Sequence, residues 1–317
     1  MIKVLIIGGT GSLGKALVEK FSKDSVDIYV YSRGEDAQWR MKCDYPSANF
    51  FIGDISDKNR VKNVIDKVQP NYIIIAAALK HIDICEHNTS ESIKTNVVGI
   101  QNVMDAITSS SHTYLDCVLF VSTDKACSPV NTYGLCKGLG ERIVIEKSTQ
   151  CTDIRFVIVR YGNVLSSRGS LLPKFHAIGR DPSKTSFSIT NPNMTRFFMT
   201  LTDSVELIEY ALYNGKTGHT YVPKLDSYKI SDIADVFSEI YNKPVIVTGI
   251  RPGEKLHEEL INYTESLRTK ESGKYYDIAP VTENYQITEQ NAVYTSQNYI
   301  CTNLDKIRDI VKISNLQ

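Results

Sequence analysis

The sequence predicts an α/β protein with a doubly wound parallel sheet and a smaller C-terminal lobe. Six short apolar runs recur along the first half of the chain, and segments with helical periodicity separate them. The runs show no polar alternation, which is typical of strands buried on both faces of a parallel sheet. Parallel strands need helical crossovers, and the intervening segments supply them. After Arg160, Gly, Pro and Ser become frequent, which indicates the second lobe.

The elements can be placed in order along the chain. The predicted strands are Lys3–Gly8, Asp27–Tyr31, Asn49–Gly53, Tyr72–Ala76, Asp116–Ser122 and Ile154–Arg160; the predicted helices are Ser12–Ser22, Asp57–Val68, Ser90–Thr108 and Thr132–Lys147. A helix at Thr202–Asn214 and a strand at His219–Val222 are expected to return to the sheet. Residues 1–162 and about 202–226 therefore form the sheet domain. Residues of about 163–201 and 227–317 form the lobe, and the tail from about Val281 is either a latch or loosely packed.

Composition and charge exclude several classes of protein. Lys+Arg and Asp+Glu number 36 each, so the net charge is zero and no nucleic-acid or membrane footprint is expected. No apolar run is long enough to span a membrane, and the N-terminus has no signal-peptide pattern. The seven cysteines form no C-x-x-C pair and the six histidines show no metal spacing. We expect a cytoplasmic protein with no metal site.

A glycine-rich loop joins the first strand to the first helix. Gly8, Gly11 and Gly14 are spaced three apart, and a backbone of this kind can approach a pyrophosphate at a helix N-terminus. Its position at the start of a strand–helix–strand unit makes the pattern specific. The sequence therefore predicts a dinucleotide-binding Rossmann domain. The loop residues expected to contact the cofactor are Gly8, Thr10, Gly11, Ser12, Leu13 and Gly14.

The end of the second strand predicts NADP as the cofactor. A hydroxyl and a guanidinium, Ser32 and Arg33, stand where NAD enzymes place a carboxylate, and they suit a 2′-phosphate. Glu35 and Asp36 follow two residues later, and because they are carboxylates they weaken the argument for NADP over NAD. The further cofactor contacts expected at the ends of strands three, four and five are Asp54, Ile55, Ala76, Ala77, Ala78 and Ser122.

Tyr133 and Lys137 lie four residues apart, which places both side chains on one helix face. The pair follows strand five, where a short-chain dehydrogenase/reductase carries its catalytic tyrosine and lysine. We expect Lys137 to lower the pKa of Tyr133 and to hold the nicotinamide ribose. Both residues are therefore predicted to be catalytic and to bind the cofactor.

The segment before Tyr133, Ser122-Thr123-Asp124-Lys125, resembles that of a specific family, the inverting UDP-N-acetylglucosamine 4,6-dehydratases. The similarity reaches to about residue 262. One departure is Ile7, where the family usually has Thr. The segments that resemble the family are Ser122-Thr123-Asp124-Lys125, Ala76–His81, Lys94–Gly99, Arg160–Leu165, Met194–Met199 and Arg251–Glu258.

The resemblance implies a redox-neutral dehydration in which Tyr133 accepts the sugar O4 proton. Thr123 then hydrogen-bonds O4, Lys125 is the base at C5 and Asp124 is the acid at C6. Retaining relatives have Glu where Lys125 stands, so the lysine indicates inversion at C5. As a base Lys125 must be neutral, and we expect Lys137 and the nicotinamide to lower its pKa. Asp124 must be protonated when it acts, which burial favours.

The resemblance also implies a UDP-sugar pocket and a homo-oligomer. UDP-N-acetylglucosamine is the implied substrate, and Arg196 and Arg251 are placed on its diphosphate side because guanidinium groups bind phosphates well. The residues expected to bind substrate are Lys80, Asn163, Gly169, Ser170, Lys174, Arg196, Arg251 and Glu254.

Three alternatives stay open from the sequence. A UDP-sugar 4-epimerase would share the Tyr133 and Lys137 pair but would not need Asp124 and Lys125. A retaining 4,6-dehydratase would differ at the position of Lys125. A catalytically idle NADP-binding regulator would be expected to have lost part of the catalytic set, which is intact here.

Overall fold

Strands and helices alternate through the first half of the protein, as the apolar runs predict. The computed structural model describes residues 1–109, 113–167, 169–283 and 292–314. The first six strands, β1–β6, are Ile2–Ile7, Val26–Ser32, Asn49–Ile52, Tyr72–Ile75, Cys117–Val121 and Arg155–Val159. The first seven α-helices, α1–α7, are Ser12–Phe21, Glu35–Asp44, Lys58–Val68, Ile82–His87, Thr89–Ile93, Gly99–Thr108 and Thr132–Gln150. A π-helical segment, Lys94–Val98, joins α5 to α6, and a 3₁₀ turn, Asp124–Ala126, follows β5.

The second half contains shorter elements. Its strands β7–β16 are Asn163–Val164, Phe187–Ile189, Thr195–Met199, Thr220–Pro223, Ser227–Lys229, Val245–Val247, Glu259–Ile261, Thr269–Ser272, Tyr275–Ile278 and Tyr294–Thr295. Its helices α8–α12 are Leu171–Arg180, Leu201–Asn214, Ile230–Tyr241, Tyr263–Ser266 and Leu304–Ile313. Helix α2 escaped the sequence analysis because it buries only two side chains, Gln38 and Met41, and so has almost no apolar stripe.

The central sheet has the strand order β14-β15-β10-β6-β5-β4-β1-β2-β3 in the described part of the chain. Strands β1 to β6 and β10 pair in parallel, which confirms the predicted fold class. Strands β14 and β15 extend the sheet in antiparallel pairing. The sequence analysis placed residues 227–317 entirely in the lobe, and on this point the structure differs: a hairpin from that region joins the sheet edge.

Burial explains why β1 reads as a continuous apolar run. Val4, Leu5, Ile6 and Ile7 are each at most 1% exposed, because helices cover both faces of the sheet. Alternate side chains of the strand enter two different core clusters, with Ile6 on one face and Leu5 on the other. Burying one such side chain contributes about 1.5–3 kcal/mol.

The lobe has its own core and is closed by part of the tail. Phe175, Phe187 and Phe237 pack together beneath α8 and α10, and α12 adds Ile307 and Val311 to this cluster. Strand β16 pairs with β13. The described tail residues, 292–314, are therefore the latch that the sequence left as one of two possibilities. Residues 284–291 and 315–317 of the predicted tail lie outside the described residues.

Candidate active site

The glycine loop lies against the end of β4, as a dinucleotide-binding loop requires. Gly8 has φ of +91°, and a Cβ there would lie 2.5 Å from the backbone nitrogen of Ala77. Gly14 touches the backbone of Gly9 where α1 leaves the loop, so a Cβ there would overlap with it. Among the described residues no side chain caps α1, whose first turn carries no acidic residue. This cradle of backbone amides at a helix N-terminus fits a pyrophosphate.

The end of β2 presents one exposed cation. The Arg33 side chain is 58% exposed, and its Nη1 lies 3.5 Å from Asp54 Oδ2. Ser32 is buried, and its Oγ accepts a hydrogen bond of 2.9 Å from Gln38 Nε2. Asp54 is held in turn by Ser56, whose backbone and hydroxyl both donate to Oδ1 at 2.8 Å. Arg33 and Asp54, two of the predicted cofactor residues, therefore lie together at the sheet edge.

The segment after β4 is held by an asparagine of the π-helical segment. Asn96 Oδ1 accepts from the backbone N–H of Leu79, and its Nδ2 donates to the carbonyl of Leu79, both at 2.8 Å. This pair of bonds fixes the chain immediately after Ala76, Ala77 and Ala78. Ile55 is buried, and its carbonyl accepts from Asn102 Nδ2 at 3.1 Å. The sequence analysis quoted Asn96 within a family-like segment but gave it no role.

The catalytic turn follows β5 directly. Thr123 Oγ1 donates to Asp124 Oδ1 at 2.8 Å, and Lys125 Nζ lies 3.0 Å from the same oxygen. Asp124 is fully buried, and its Oδ2 has no hydrogen-bond partner among the described residues. The predicted trio therefore forms one cluster with a free carboxylate oxygen.

Helix α7 brings Tyr133 and Lys137 onto this turn. Asn131 caps the helix by accepting from Gly134 N–H at 2.8 Å. Gly134 packs on the carbonyl of Lys125 so closely that a Cβ there would overlap with it. Glycine at this position lets the start of α7 rest on the catalytic turn, and Tyr133 is placed beside Thr123 and Lys125.

Burial shifts the pKa values of Tyr133 and Lys137 in opposite directions. Burial raises the pKa of Tyr133 to about 12, and Lys125 and a hydrogen bond with Thr123 oppose this rise. Burial also lowers the pKa of Lys137 to about 7, and its Nζ donates to the Val121 carbonyl at 2.5 Å. The cation that lowers the pKa of Tyr133 in this structure is therefore Lys125, and the role expected of Lys137 toward Tyr133 and the nicotinamide ribose stays a prediction.

The two carboxylates beside Lys125 raise its pKa. Burial lowers the pKa of Lys125, but the carboxylates of Asp124 and Glu258 more than offset this, so its pKa lies above the ordinary value. Glu258 Oε1 lies 3.5 Å from Lys125 Nζ. The expectation of a neutral Lys125 applies to the site with nicotinamide and sugar bound and stays a prediction, whereas the two carboxylates by themselves favour the ammonium. The sequence analysis quoted Glu258 in a family-like segment but did not assign it to the site.

A second buried ion network lies next to the catalytic turn. Arg160 donates to Glu141 at 2.6 and 3.0 Å and to Glu265 at 2.8 and 2.9 Å. Ser122 donates its hydroxyl hydrogen to Glu141 Oε1 at 2.5 Å. The Ser122 hydroxyl, predicted to contact the cofactor, is thus part of this network. No motif identifies Glu141 or Glu265, because a charge in a sequence gives no sign of its burial.

The predicted substrate residues fall into several places. Arg196 is buried, and its guanidinium donates to the carbonyls of Thr195, Lys255 and Leu256 at 2.7, 2.9 and 3.2 Å. Arg251 is exposed and donates to Glu254 Oε1 at 2.5 Å. The structure thus makes Arg196 a support for the segment that carries Arg251 and Glu254. This corrects the expectation that Arg196 faces a diphosphate.

The remaining predicted substrate residues lie after β4, in β7 and around the start of α8. Gly169 has φ of +75°, and a Cβ there would lie 2.5 Å from the His81 ring. The buried hydroxyl of Ser170 has no hydrogen-bond partner among the described residues and stands at the N-terminus of α8. Lys80 and Lys174 are exposed, and Asn163 is half-buried in β7.

A cleft of about 510 Å³ lies along the lobe segment that contains Glu254. Its lining contains Glu254 and its neighbours together with Thr295 and Gln297 of the tail. Tyr133 and Lys125 are absent from its described lining, so the cleft is adjacent to the catalytic cluster and does not contain it. Within the described ranges no group of His, Cys, Asp and Glu could hold a metal ion. No helix in the part of the chain that the structure describes is long and apolar enough to cross a membrane.

Comparisons with known proteins show the family to which the chain belongs. The family described as polysaccharide biosynthesis protein matches residues 4–280. An inverting UDP-N-acetylglucosamine 4,6-dehydratase of Campylobacter jejuni is 38% identical over 285 residues, which cover 87% of this chain and 82% of that protein. A Rickettsia bellii protein named UDP-glucose 4-epimerase is 34% identical over 329 residues, covering 97% of this chain and 94% of that protein.

Solved structures show the same fold. Pen from Bacillus thuringiensis has a TM-score of 0.91 and 29% identity, with 100% of this chain and 98% of that chain covered. A dTDP-glucose 4,6-dehydratase from Bacillus anthracis, solved with NAD, has a TM-score of 0.67 and 15% identity, covering 80% of this chain and 86% of that one. The chain belongs to the polysaccharide biosynthesis protein family, within the extended short-chain dehydrogenases/reductases.

Proposed function

We propose that the protein is a UDP-N-acetylglucosamine 4,6-dehydratase that inverts C5, with NADP as its cofactor. The observation that carries this proposal is the contact between Lys125 and the fully buried Asp124 beside Tyr133. A dehydration needs a base at C5 and an acid at C6, and one side chain of each kind stands here. The Campylobacter relative, 38% identical, is named for the same reaction.

The cofactor would lie along the carboxyl edge of the sheet. The amides from Gly8 to Gly14 would hold its pyrophosphate. The exposed Arg33 guanidinium would pair with a 2′-phosphate, which it can bind through two donors. When bound, NADP⁺ supplies the acceptor for the C4 hydride and later returns that hydride to C6.

Tyr133 and Thr123 would act on the sugar O4. As the phenolate, Tyr133 accepts the O4 proton, and Thr123 orients that oxygen by a hydrogen bond. Burial raises the pKa of Tyr133 to about 12 even with the charge of Lys125 beside it. The phenolate would therefore need further positive charge, which the bound nicotinamide ring would supply.

Lys125 and Asp124 would then perform the elimination. A proton moves from Lys125 Nζ to Asp124 Oδ1 across their 3.0 Å contact, so that an N–H bond breaks and an O–H bond forms. This single transfer produces a neutral amine for C5 and a protonated acid for C6. The neutral pair is favoured when substrate excludes water and charges lose their solvation. The amine then takes the C5 proton, and the acid gives its proton to the C6 hydroxyl, which departs as water. Return of the hydride to C6 would be matched by addition of a solvent-derived proton to C5 from the opposite face, which completes the redox-neutral reaction and inverts C5.

The lobe would bind the UDP part of the substrate. Arg251 and Glu254 already form an ion pair at the edge of the cleft, and a diphosphate could take the place of the glutamate at the guanidinium. The buried Ser170 hydroxyl, unpaired among the described residues, has free hydrogen-bonding capacity at the N-terminus of α8. Lys80, Asn163, Gly169 and Lys174 are proposed to complete the substrate site from the segments after β4, in β7 and around the start of α8.

We further propose a homo-oligomer that covers the outer face of α7. Leu135 and Leu139, one helical turn apart, are each 54% exposed. Ile93 and Val98 of the neighbouring helical run are 44% and 43% exposed. A monomer seldom exposes so many apolar side chains on adjacent helices. All seven cysteines are free, which suits the reducing cytoplasm as the proposed location.

Proton NMR of UDP-N-acetylglucosamine incubated with the protein tests the function. The expected result is a new C6 methyl signal in a 4-keto sugar of inverted C5 configuration, without net consumption of added nicotinamide cofactor. A galacto-configured product would support the 4-epimerase alternative, which the Rickettsia relatives' names favour. A methyl product with C5 retained would indicate the retaining dehydratase, and an unchanged sugar would favour the idle regulator.

A further inference from the structure

Glu258 is a buried carboxylate for which the proposed reaction has no use. It is 2% exposed, and its Oε2 makes no hydrogen bond to any described residue. Its Oε1 lies 3.5 Å from Lys125 Nζ and 3.7 Å from Arg196 Nε, and its Oε2 lies 3.8 Å from Lys255 Nζ. Burying a carboxylate this deeply costs free energy unless nearby positive charges offset the loss of its hydration.

The backbone of Glu258 is held in place by the tail. Ser296 is completely buried, and its Oγ accepts from Glu258 N–H at 2.9 Å. Ser296 N–H donates to the Glu258 carbonyl at 2.8 Å. Thr195 Oγ1 lies 2.7 Å from the Ser296 hydroxyl, which ties the tail to β9. The tail and β9 thus fix the backbone that carries this carboxylate from the side of the lobe.

We propose that Glu258 is the positioning residue of the acid–base cluster, holding Lys125 Nζ between its own carboxylate and that of Asp124 and keeping Lys125 protonated until substrate is bound. The inference rests on the proposed function, in which Lys125 is the C5 base. Lys125 carries one ammonium between two carboxylates, one from the sheet domain and one from the lobe. Removing the outer carboxylate leaves the amine with a single anchor.

The charged groups that face Lys125 decide the direction of the effect. Asp124 and Glu258 favour the ammonium, whereas Arg196 and burial oppose it. Tyr133 also lies beside Lys125, and Arg196 and Lys255 share the Glu258 carboxylate with it. Loss of the Glu258 charge therefore makes Lys125 easier to deprotonate. An opposite charge at this distance shifts a pKa by about one unit or more.

Competitive acetylation of the protein without sugar tests whether Glu258 keeps Lys125 protonated. Trace acetic anhydride labels neutral amines, and mass spectrometry compares Lys125, whose side chain is 17% exposed, with the exposed Lys23. At a fixed mildly alkaline pH, Glu258→Gln should raise the relative labelling rate of Lys125 about tenfold, since a one-unit fall in pKa gives ten times more free amine. Glu259→Gln is the matched control, because Glu259 accepts from Ser128 at 2.6 Å and should leave the rate unchanged. An unchanged rate in folded Glu258→Gln overturns the proposal.

Glu258→Asp keeps the carboxylate charge and tests whether Glu258 positions Lys125. It also serves as the test variant if Glu258→Gln does not fold. The side chain is shorter by one methylene, so Lys125 labelling should stay within about twofold of wild type while C5 deuterium exchange falls about tenfold or more. Oxidation at C4 should change little, because it depends on Tyr133, whereas a general structural defect would slow both steps. Equal C5 exchange in Glu258→Asp and wild type would overturn the positioning role. If the wild-type protein exchanges no C5 hydrogen, the proposed function is wrong. The acetylation result does not depend on that function, because it is measured without sugar.

Discussion

The two buried ion networks of the protein lie side by side and are built differently. Arg160 has Glu141 and Glu265 at 2.6–3.0 Å, with hydrogen bonds to both oxygens of each carboxylate. Lys125 has Asp124 at 3.0 Å and Glu258 at 3.5 Å, and one oxygen of each carboxylate has no hydrogen-bond partner among the described residues. A satisfied network stabilises a single arrangement, whereas an unsatisfied one retains acceptors for a ligand or a proton.

The choice of cation matches this difference. Arginine keeps its charge at all ordinary pH values and fits carboxylates with a planar fork, so Arg160 can only bind. Lysine can lose its proton, so Lys125 can bind or react. Adjacent networks of similar burial can therefore differ in role: the Arg160 network joins the sheet domain to the lobe, and the Lys125 network is the one proposed to react with substrate.

The largest expected effect is on the reactive side. Tyr133→Phe removes the group that accepts the O4 proton, and turnover of UDP-N-acetylglucosamine should fall about 10²-fold or more. The thermal stability should remain close to that of wild type, because a single hydroxyl is lost. Tyr210→Phe is the control, since Tyr210 contacts Ser272 at the sheet edge and should keep its activity. Wild-type turnover in Tyr133→Phe would remove this residue from the mechanism.

The next effect is on the structural side. Glu265→Gln leaves Arg160 with one carboxylate and should lower the free energy of unfolding by about 3 kcal/mol, measured by denaturant titration. Burial raises the pKa of Glu265, but Arg160 outweighs this and brings it down to about 2 from the usual 4.5. A lowered carboxylate pKa stabilises the fold above the unfolded value, so the gap between wild type and variant should be complete above pH 4.5 and shrink toward pH 2.

An exposed glutamate gives the control for this stability measurement. Glu271→Gln removes a surface pair with Lys224 whose glutamate is 63% exposed, and it should change stability by less than about 1 kcal/mol. If Glu265→Gln and Glu271→Gln lower the free energy of unfolding equally, the buried network around Arg160 stabilises the protein no more than a surface ion pair does.

The smallest effect concerns an exposed charge. Arg33→Ala should weaken NADP binding about tenfold relative to NAD, because a 2′-phosphate loses its paired donors. Isothermal titration with each cofactor measures this ratio. Arg40→Ala is the matched control, since Arg40 is an exposed arginine on α2 that pairs with Asp36. An unchanged ratio in Arg33→Ala would remove the argument for NADP.

The sheet domain was largely predictable because its signals are local. Continuous apolar runs give the parallel strands, and the spacing of Gly8, Gly11 and Gly14 gives the cradle that packs on Ala77. The Tyr133 and Lys137 pair is readable for the same reason. By contrast, the charges that act on Lys125 could not be predicted, because Glu258 is distant in sequence and only the fold brings it near.

The lobe was harder to predict because its elements are short and its contacts are long-range. Arg196 is a polar residue in a family-like segment, and the sequence alone does not show that backbone carbonyls use its donors. The hairpin of β14 and β15 joins the sheet through pairing with β10, which no local pattern reveals. Nevertheless, the segment Arg251–Glu258 was recognisable, and it contains the missed residue.

Deuterium incorporation at C5 in Lys125→Ala tests the central claim most directly. The variant and wild type are incubated with saturating UDP-N-acetylglucosamine in deuterium oxide, and circular dichroism verifies the fold. Lys125 is proposed as the base for C5, whereas oxidation at C4 needs Tyr133. The variant should therefore form some 4-keto sugar, more slowly than wild type because Tyr133 loses the charge of Lys125, and this sugar should have no deuterium at C5 and no C6 methyl, while wild type shows both. Exchange at the wild-type rate in Lys125→Ala would contradict the assignment of the base and the inverting reaction that depends on it.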